Sequence, residues 1–465
     1  TAVTDCGAGG LSSAVGEMGA ELGAVVNLEQ VPLKYAGLRY DEIWISEAQE
    51  RMVLSVPKQH LPELLALSRS EDVEATVIGA FGTPSRELIL NHRNTEVGRL
   101  AMSFLHDGIP MPTRVAVVDD QPRGTGVPHG LNPSKESIKD ALLEHLAHPN
   151  IASKHWIIRQ YDHEVQGGSV IKPLVGPLQI GPSDASVIRP KLGSRKGVFV
   201  ACGLTPWIDD PYHMALAAID EAVRNAVCVG ASIEKLAMLD NFCWPSVDDE
   251  ITMGTLVRAC EGCRDASLAY GVPFISGKDS LHNQFTIKET AQVIRIPRTL
   301  LISTIGVIDD VSRCITMDLK TTDGSLYLVR PADDTTLAGR LAAHRAVERA
   351  IAAGVVRSAH DVSDGGWLVA AAEMAIAGHR GLALMATDPL LATAFHAPVA
   401  HYLLELPRSD FARATELLSG DDTIRFDAVG RVIDAPKLIL SNLRSILAEW
   451  PLDELTRAWR GTLDW

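Results

Sequence analysis

The chain has 465 residues, 46% hydrophobic and 22% charged, with 43 basic against 58 acidic side chains and a net charge of −15. This composition excludes a disordered or fibrous polypeptide and leaves core enough for several domains. The acid excess excludes a general nucleic-acid binder, which needs a basic face, so any phosphorylated ligand must be met by local cations or a bound metal. No apolar run is long enough to span a membrane, no signal peptide is recognisable, and the first residue is Thr1 rather than Met. Seven cysteines, an odd number, speak against a disulfide scaffold and suit a reducing cytoplasm.

In chain order, residues 1–95 alternate helical and extended patterns, with "LSSAVGEMGAEL" helical and "RMVLSV" and "EATVIGAF" strand-like. Residues 117–134, rich in Pro, Gly and Asp, read as a linker or surface excursion. Residues 155–312 alternate helices and strands again. Within them, Cys260 and Cys263 fall in a helical periodicity with Leu256 and have no second Cys or His pair at zinc spacing, which predicts packed helical thiols. Residues 313–465 include the strand "GSLYLVR" and continue in mixed α/β style.

An internal repeat organises these segments. "DCGAGGLSSAVGEM" from Asp5 and "DVSDGGWLVAAAEM" from Asp361 share Asp, Gly, Gly, Ala, Glu and Met without a gap. The later segments "RMVLSVPKQHLPELLAL" and "HYLLELPRSDFARATELL" run parallel, as do "TVIGAF" and "DAVGRV". Residues 1–95 and about 355–435 are therefore two copies of one domain. Aligned on Pro57 and Pro407, Glu47, Gln49 and Glu50 of the first copy face Ala397, Val399 and Ala400 of the second. That polar cluster is more than a half-buried strand requires, so one copy is chemically equipped and the other structural, unless the cluster is only a solvated edge strand.

Each copy opens with an Asp, a Gly-rich turn and a helix. Glycines admit close backbone approach, a helix N-terminus suits phosphate, and an Asp before the turn can hold Mg²⁺ against phosphate oxygens, or simply cap the helix. Glu221 and Asn225, at i and i+4 on one helix, pair a carboxylate with an amide oxygen, a hard set suited to Mg²⁺ or an exposed polar stripe. Asp162 precedes the Gly pair of "YDHEVQGG". "YGVPFISGKDS" reads as an apolar strand running into Gly277, Lys278, Asp279 and Ser280. It is not a P-loop, because Val272 stands where the first glycine belongs, yet it can contact phosphate or form a solvated turn. Asp240 and Asn241 end another apolar strand.

Together "TDCGAGGLSSAVGEM", "ISEAQERM", "YDHEVQGG", "EAVRNAVCVGA", "LDNFCWP", "PFISGKDSL" and "AHDVSDGG" resemble, in order, the phosphoribosylformylglycinamidine synthase family, the large synthetase subunit of purine biosynthesis. The resemblance covers nearly the whole chain apart from the linker and the extreme C-terminus. It implies an α/β (α+β) fold with duplicated A–B architecture like aminoimidazole ribonucleotide synthetase: B1 over 1–95, a connector over 96–154, A2 over 155–312 and B2 over 313–465. An A1 domain is expected before residue 1, carrying the family's catalytic His, so the chain is expected to be an incomplete enzyme, inactive or nearly so alone.

The resemblance further implies a cytoplasmic ligase that converts formylglycinamide ribonucleotide, ATP and ammonia to the amidine, ADP and phosphate. Ammonia comes from a glutaminase subunit or domain, and neither nucleic acid nor membrane is a partner. Asp5 resembles a catalytic Mg²⁺ ligand. Glu47 and Gln49 stand where the family's Glu-Ser-Gln contacts substrate, with Ala48 in place of Ser. Ser280 matches a substrate position, and Asp240, Gly277 and Lys278 match positions near ATP. Asp162, Glu221, Asn225 and Asp361 resemble the Mg²⁺ cage of an auxiliary ADP. Two other readings compete: an ATP-dependent enzyme of the same superfamily with another acceptor, and a non-catalytic nucleotide-binding scaffold.

Overall fold

The structure, a computed structural model, describes residues 2–48, 50–118, 138–161, 163–419 and 422–464. Most of the expected linker, with Gln49 and Asp162, lies outside the described residues. The chain forms two compact units, Thr1–Thr113 and Arg114–Trp465.

In the first unit β1 (Ala2–Asp5) passes through the Gly-rich turn into α1 (Leu11–Met18) and β2 (Ala24–Asn27). There follow α2 (Tyr40–Ile45), β3 (Met52–Ser55), α3 (Leu61–Ser70), β4 (Gly79–Phe81), β5 (Glu87–His92), β6 (Thr95–Ala101) and α4 (Met102–Asp107). The unit thus continues past residue 95. β1 pairs with β3, and β4-β2-β5-β6 form a second sheet. Leu11, Ala14 and Val15, spaced for one face of α1, are buried with Val26, Leu28, Ile43, Leu88 and Met102.

The second unit begins with α5 (Ile138–Ala147) and α6 (His155–Arg159). β7 (Ser169–Ile171), β8 (Ser186–Ile188), β9 (Gly197–Leu204), α7 (Pro211–Cys228), β10 (Leu236–Cys243), α8 (Glu250–Tyr270) and β11 (Phe274–Ser280) follow. A hairpin of β12 (Gln284–Thr286) and β13 (Val293–Arg295) leads to β14 (Thr299–Ile308). Their six-stranded sheet has the order β11-β10-β14-β9-β8-β7, with α7 packed on β9 and β14. Asp210 caps α7 and Asp249 caps α8, each accepting a backbone N–H from three residues on.

The remainder comprises β15 (Ser325–Pro331), α9 (Leu337–Ala352), β16 (Ser358–Asp361), α10 (Gly366–Gly378), β17 (Gly381–Met385) and α11 (Asp388–Ala392). It ends with β18 (Tyr402–Leu406), α12 (Phe411–Ser419), β19 (Ile424–Ile433), β20 (Lys437–Ser441), β21 (Ile446–Pro451) and α13 (Leu452–Gly461). The seven-stranded sheet runs β16-β18-β15-β19-β17-β20-β21. α10, apolar nearly all round, is buried accordingly. α5 docks on β21 and α13: Trp450 Nε1 of β21 donates to the Lys139 carbonyl, and Thr462 Oγ1, just past α13, to that of Ala147. One hydrophobic core runs through this unit, from Ala141 to Trp459.

The repeat is visible in strand register. Asp5 lies opposite Met52, and Asp361 opposite Tyr402. Glu87 pairs with Ala101, and Lys437 with Pro451. Ala24 lies between Phe81 and Leu88, and Leu382 between Val432 and Leu438. The likeness extends through α4 and α13, further than the sequence alignment carried it. It breaks at one place: β15, central in the second copy, has no counterpart among the described residues of the first, whose strands therefore form two sheets.

Candidate functional site

In the first unit the described residues of the polar cluster, 46–48, 50 and 51, are not an edge strand, as one reading of the sequence had it. They lie between α2 and β3, against the Gly-rich turn. Glu47 accepts the Gly9 N–H at 2.9 Å, and the Cys6 N–H donates to the Arg51 carbonyl at 3.0 Å. Arg51 reaches back to the Ser46 and Ala48 carbonyls. Gly10, at φ +59°, lies against the Ser46 carbonyl with no room for a Cβ. Gly366, at φ +74°, holds the same place in the second copy, against the backbone of Ala394 and His396. Asp5 ends β1 exposed beside Gly7. The structure therefore brings Glu47 to the turn that follows Asp5.

In the second unit the sequence placed Gly277–Ser280 at a strand end, but β11 runs through them at the sheet edge. Parallel pairing sets Asp240 opposite Gly277, Asn241 opposite Lys278 and Cys243 opposite Ser280. A Cβ at Gly277 would meet the Asp240 carboxylate, which would have to shift. Lys278 Nζ donates to Ser280 Oγ at 2.7 Å, and burial raises the Asp240 carboxyl. Of the CxxC pair on α8, Cys263 is buried as expected and Cys260 is exposed; all seven cysteines are free.

The densest chemistry surrounds Asp361, at the end of β16. Arg224 of α7 donates to Asp361 Oδ2 at 3.2 and 3.4 Å and also pairs with Asp220. Asp220 further accepts from His344 at 3.1 Å and from the Ala400 N–H at 2.8 Å. Burial would raise the Asp220 carboxyl, but Arg224 and His344 hold it well below its usual range. His360 bridges Asp184, at 2.8 Å, and Glu373, at 3.2 Å. Burial disfavours its charge, yet these two carboxylates drive its pKa well up, so it stands as an imidazolium.

These cations leave a surplus of acid. The Glu221 carboxyl is pushed up to about 8 by burial and by Asp361, and Asp364 to about 7 by burial, Asp361 and Glu373. Burial raises Asp361 itself, against Arg224 and His360. Glu221 Oε2 accepts the Leu204 N–H at 2.8 Å, which leaves Oε1, and Asn225 Nδ2 donates to the Cys202 carbonyl at 2.9 Å, which leaves its amide oxygen. A divalent cation would relieve the mutual repulsion of these carboxylates, although the ligand atoms of Glu221, Asp361 and Asp364 are not gathered within 4.8 Å of one another. Asp184, His360 and Asp361 offer ligand atoms within 4.8 Å of one another.

Sequence reasoning assigned no role to Asp184, Asp364, Glu373 and Arg224. Asp220 and Arg224 could have been read as an i, i+4 ion pair, and Asp364 stands where the first copy has Ala8. Asp184, 176 residues from His360, gives no local signal beyond "GPSDAS".

The sequence matches the AIR synthase related protein family, its C-terminal domain over residues 1–87 and 319–440 and its N-terminal domain over 182–294. The chain belongs to that family. Curated relatives are the phosphoribosylformylglycinamidine synthase subunits PurL of Thermococcus sibiricus, 32% identical over 82% of this chain and 53% of that protein, and of a Nocardioides species, 30% identical over 99% and 62%. The AIR synthase related chain thus spans about half to three-fifths of the length of these relatives. Two solved structures share its fold. T. maritima PurL complexed with ATP covers 92% of this chain and 63% of its own at TM-score 0.65 and 21% identity. The same protein complexed with FGAR covers 93% and 61% at TM-score 0.63 and 21% identity. No helix among the described residues is long and apolar enough to cross a membrane.

Proposed function

We propose that this AIR synthase related chain serves the ATP-dependent amidation of formylglycinamide ribonucleotide (FGAR) in purine biosynthesis. The amide oxygen attacks the γ-phosphorus of ATP and ADP leaves. Ammonia then adds to the activated carbon and phosphate departs with that oxygen, giving the amidine. Such chemistry rests on positioning and charge neutralisation and needs no protein nucleophile.

The observation that carries the reading is the surplus of carboxylate at the buried Asp361 and the half-buried Glu221 and Asp364, which suits Mg²⁺ on a nucleotide. Bound there, Mg²⁺ supplies charge neutralisation for a diphosphate. Asp361, Glu221 and Asn225 would hold it, with Asp162 as a fourth candidate. In the first unit, Asp5 is assigned to catalytic Mg²⁺ and Glu47 and Gln49 to substrate. In the second, Asp240, Gly277 and Lys278 are assigned to ATP and Ser280 to substrate. A glutaminase supplies the ammonia, and the free cysteines suit the cytoplasm.

Titration with FGAR tests the assignment. Glu47→Ala should weaken FGAR binding about tenfold or more, since a lost hydrogen bond from a charged group is worth about 1.5–3 kcal/mol. ADP–Mg²⁺ binding should be unchanged. Nucleotide binding with no FGAR binding in the parent chain would instead leave a nucleotide scaffold.

A further inference from the structure

The two copies differ by one strand and one helix, and the second copy shows what fills the difference. There β15 lies between β18 and β19, antiparallel to both, and α9 follows it to pack against β15, β19 and α12. In the first copy the corresponding strands, β3 and β4, have no strand between them among the described residues. One antiparallel strand added there would join the two sheets into one, with the strand order of the second copy.

Both flanks of this gap are unfinished. The sequence reads as a strand over "EATVIGAF", yet only Gly79–Phe81 forms one, and residues 73–78 pair with no strand among the described residues. Register equates residues 73–77 with 424–428, the part of β19 that pairs with β15 and not with β17. On the other flank β1 and β3 form a two-stranded ribbon, which is marginal without a further strand. Unpaired strand edges of this kind are templates for another chain.

The apolar cover is missing as well. In the second copy Tyr402 and Leu404 of β18 lie on the face that α9 covers, where the Tyr402 hydroxyl meets His344 Nδ1 at 2.7 Å, and both are fully buried. Their counterparts Met52 and Leu54 are 55% and 48% exposed, with Val3 exposed opposite Leu54. Val73 is 58% exposed where Ile424 is 7%. On the helical side α12 buries Ala414 and Leu418, whereas α3 buries none of its residues and leaves Leu67 exposed.

We propose that the first unit docks a strand–helix segment of a partner polypeptide. The strand, of the kind of β15, adds antiparallel between β3 and residues 73–81, and the helix, of the kind of α9, covers Met52, Leu54 and α3. Main-chain pairing supplies affinity, and the apolar side chains around the gap select alternate apolar side chains on the strand. In the second copy only residues 353–357 join α9 to β16, so the partner helix ends within a short reach of the start of β1. The proposal is independent of the FGAR reading, which uses Glu47 and the turn beside it and none of these residues.

The probe is a synthetic peptide of residues 324–353, β15 through α9, carrying His344→Leu because Met52 stands where Tyr402 meets that imidazole. Titrated calorimetrically into the full chain, it should bind saturably. Hydrogen exchange at the amides of residues 52–55 and 73–81 should slow about tenfold or more on binding, as newly paired strands do. The same peptide with Leu328→Pro, which loses a main-chain donor in mid-strand, should not bind. Leu54→Asp and Leu67→Asp in the chain, both at exposed positions that the segment covers, should each weaken binding about tenfold or more, because each puts an unpaired charge into the contact. No saturable binding, equal binding of the Leu328→Pro peptide, unchanged exchange at these amides, or unchanged affinity in both variants would each overturn the proposal. Protection of the same amides by self-association of the chain without peptide would overturn it in favour of a second copy as the occupant.

Discussion

Replacing Glu221 by glutamine should remove a pH-dependent weakness from the second unit. The carboxyl titrates near 4.5 in the unfolded chain and is pushed up to about 8 in the fold by burial and by Asp361. A carboxyl with a raised folded pKa binds more protons folded than unfolded, so stability falls as pH rises through that window. Between about pH 5.5 and 8, the single-site linkage relation with these two pKa values gives a loss of about 3 kcal/mol from this group alone. Glutamine keeps an oxygen for the Leu204 N–H and cannot ionise. The assay is urea unfolding of parent and Glu221→Gln, without divalent cation, at both pH values. The parent should lose about 3 kcal/mol more than the variant on going to the higher pH. Added Mg²⁺ should recover part of that loss in the parent only, because a cation replaces the proton. Equal pH slopes would refute the claim that Glu221 is held protonated by its surroundings.

Further outcomes follow from the fold. Gly366→Ala should destabilise the second unit by about 2–4 kcal/mol, from the positive φ and the Cβ crowding of His396, read as a lower urea midpoint. An unchanged midpoint would show that the turn relaxes. Amides of β3, which has β1 as its one strand neighbour among the described residues, should exchange with deuterium far faster than those of β18, flanked by β16 and β15. Equal protection would mean that β3 is covered.

The repeat was legible because glycines at Gly9, Gly10, Gly365 and Gly366 and the flanking Asp keep fixed spacing wherever this turn forms. Register then extends the likeness through β5–β6 and β20–β21, whose side chains differ enough to hide it in the sequence. The polar cluster around Glu47 was legible as composition but not as a loop, since its contact with Gly9 spans 38 residues. Gly277–Ser280 reads as a turn by composition, whereas pairing with β10 extends the strand through it, a tertiary effect that overrides local propensity. Asp361 was found through the repeat. Glu373 stands among the repeat matches, but its bond to His360 was not legible, and Asp184 joins the network from 176 residues away.

Calorimetric titration with ADP–Mg²⁺ tests the central claim most directly. The account predicts a saturable site in the second unit that Asp361→Asn weakens about tenfold or more, as a lost charged ligand requires, and that Glu47→Ala leaves intact. Undiminished binding in Asp361→Asn, with Arg224 and the fold preserved, would contradict it.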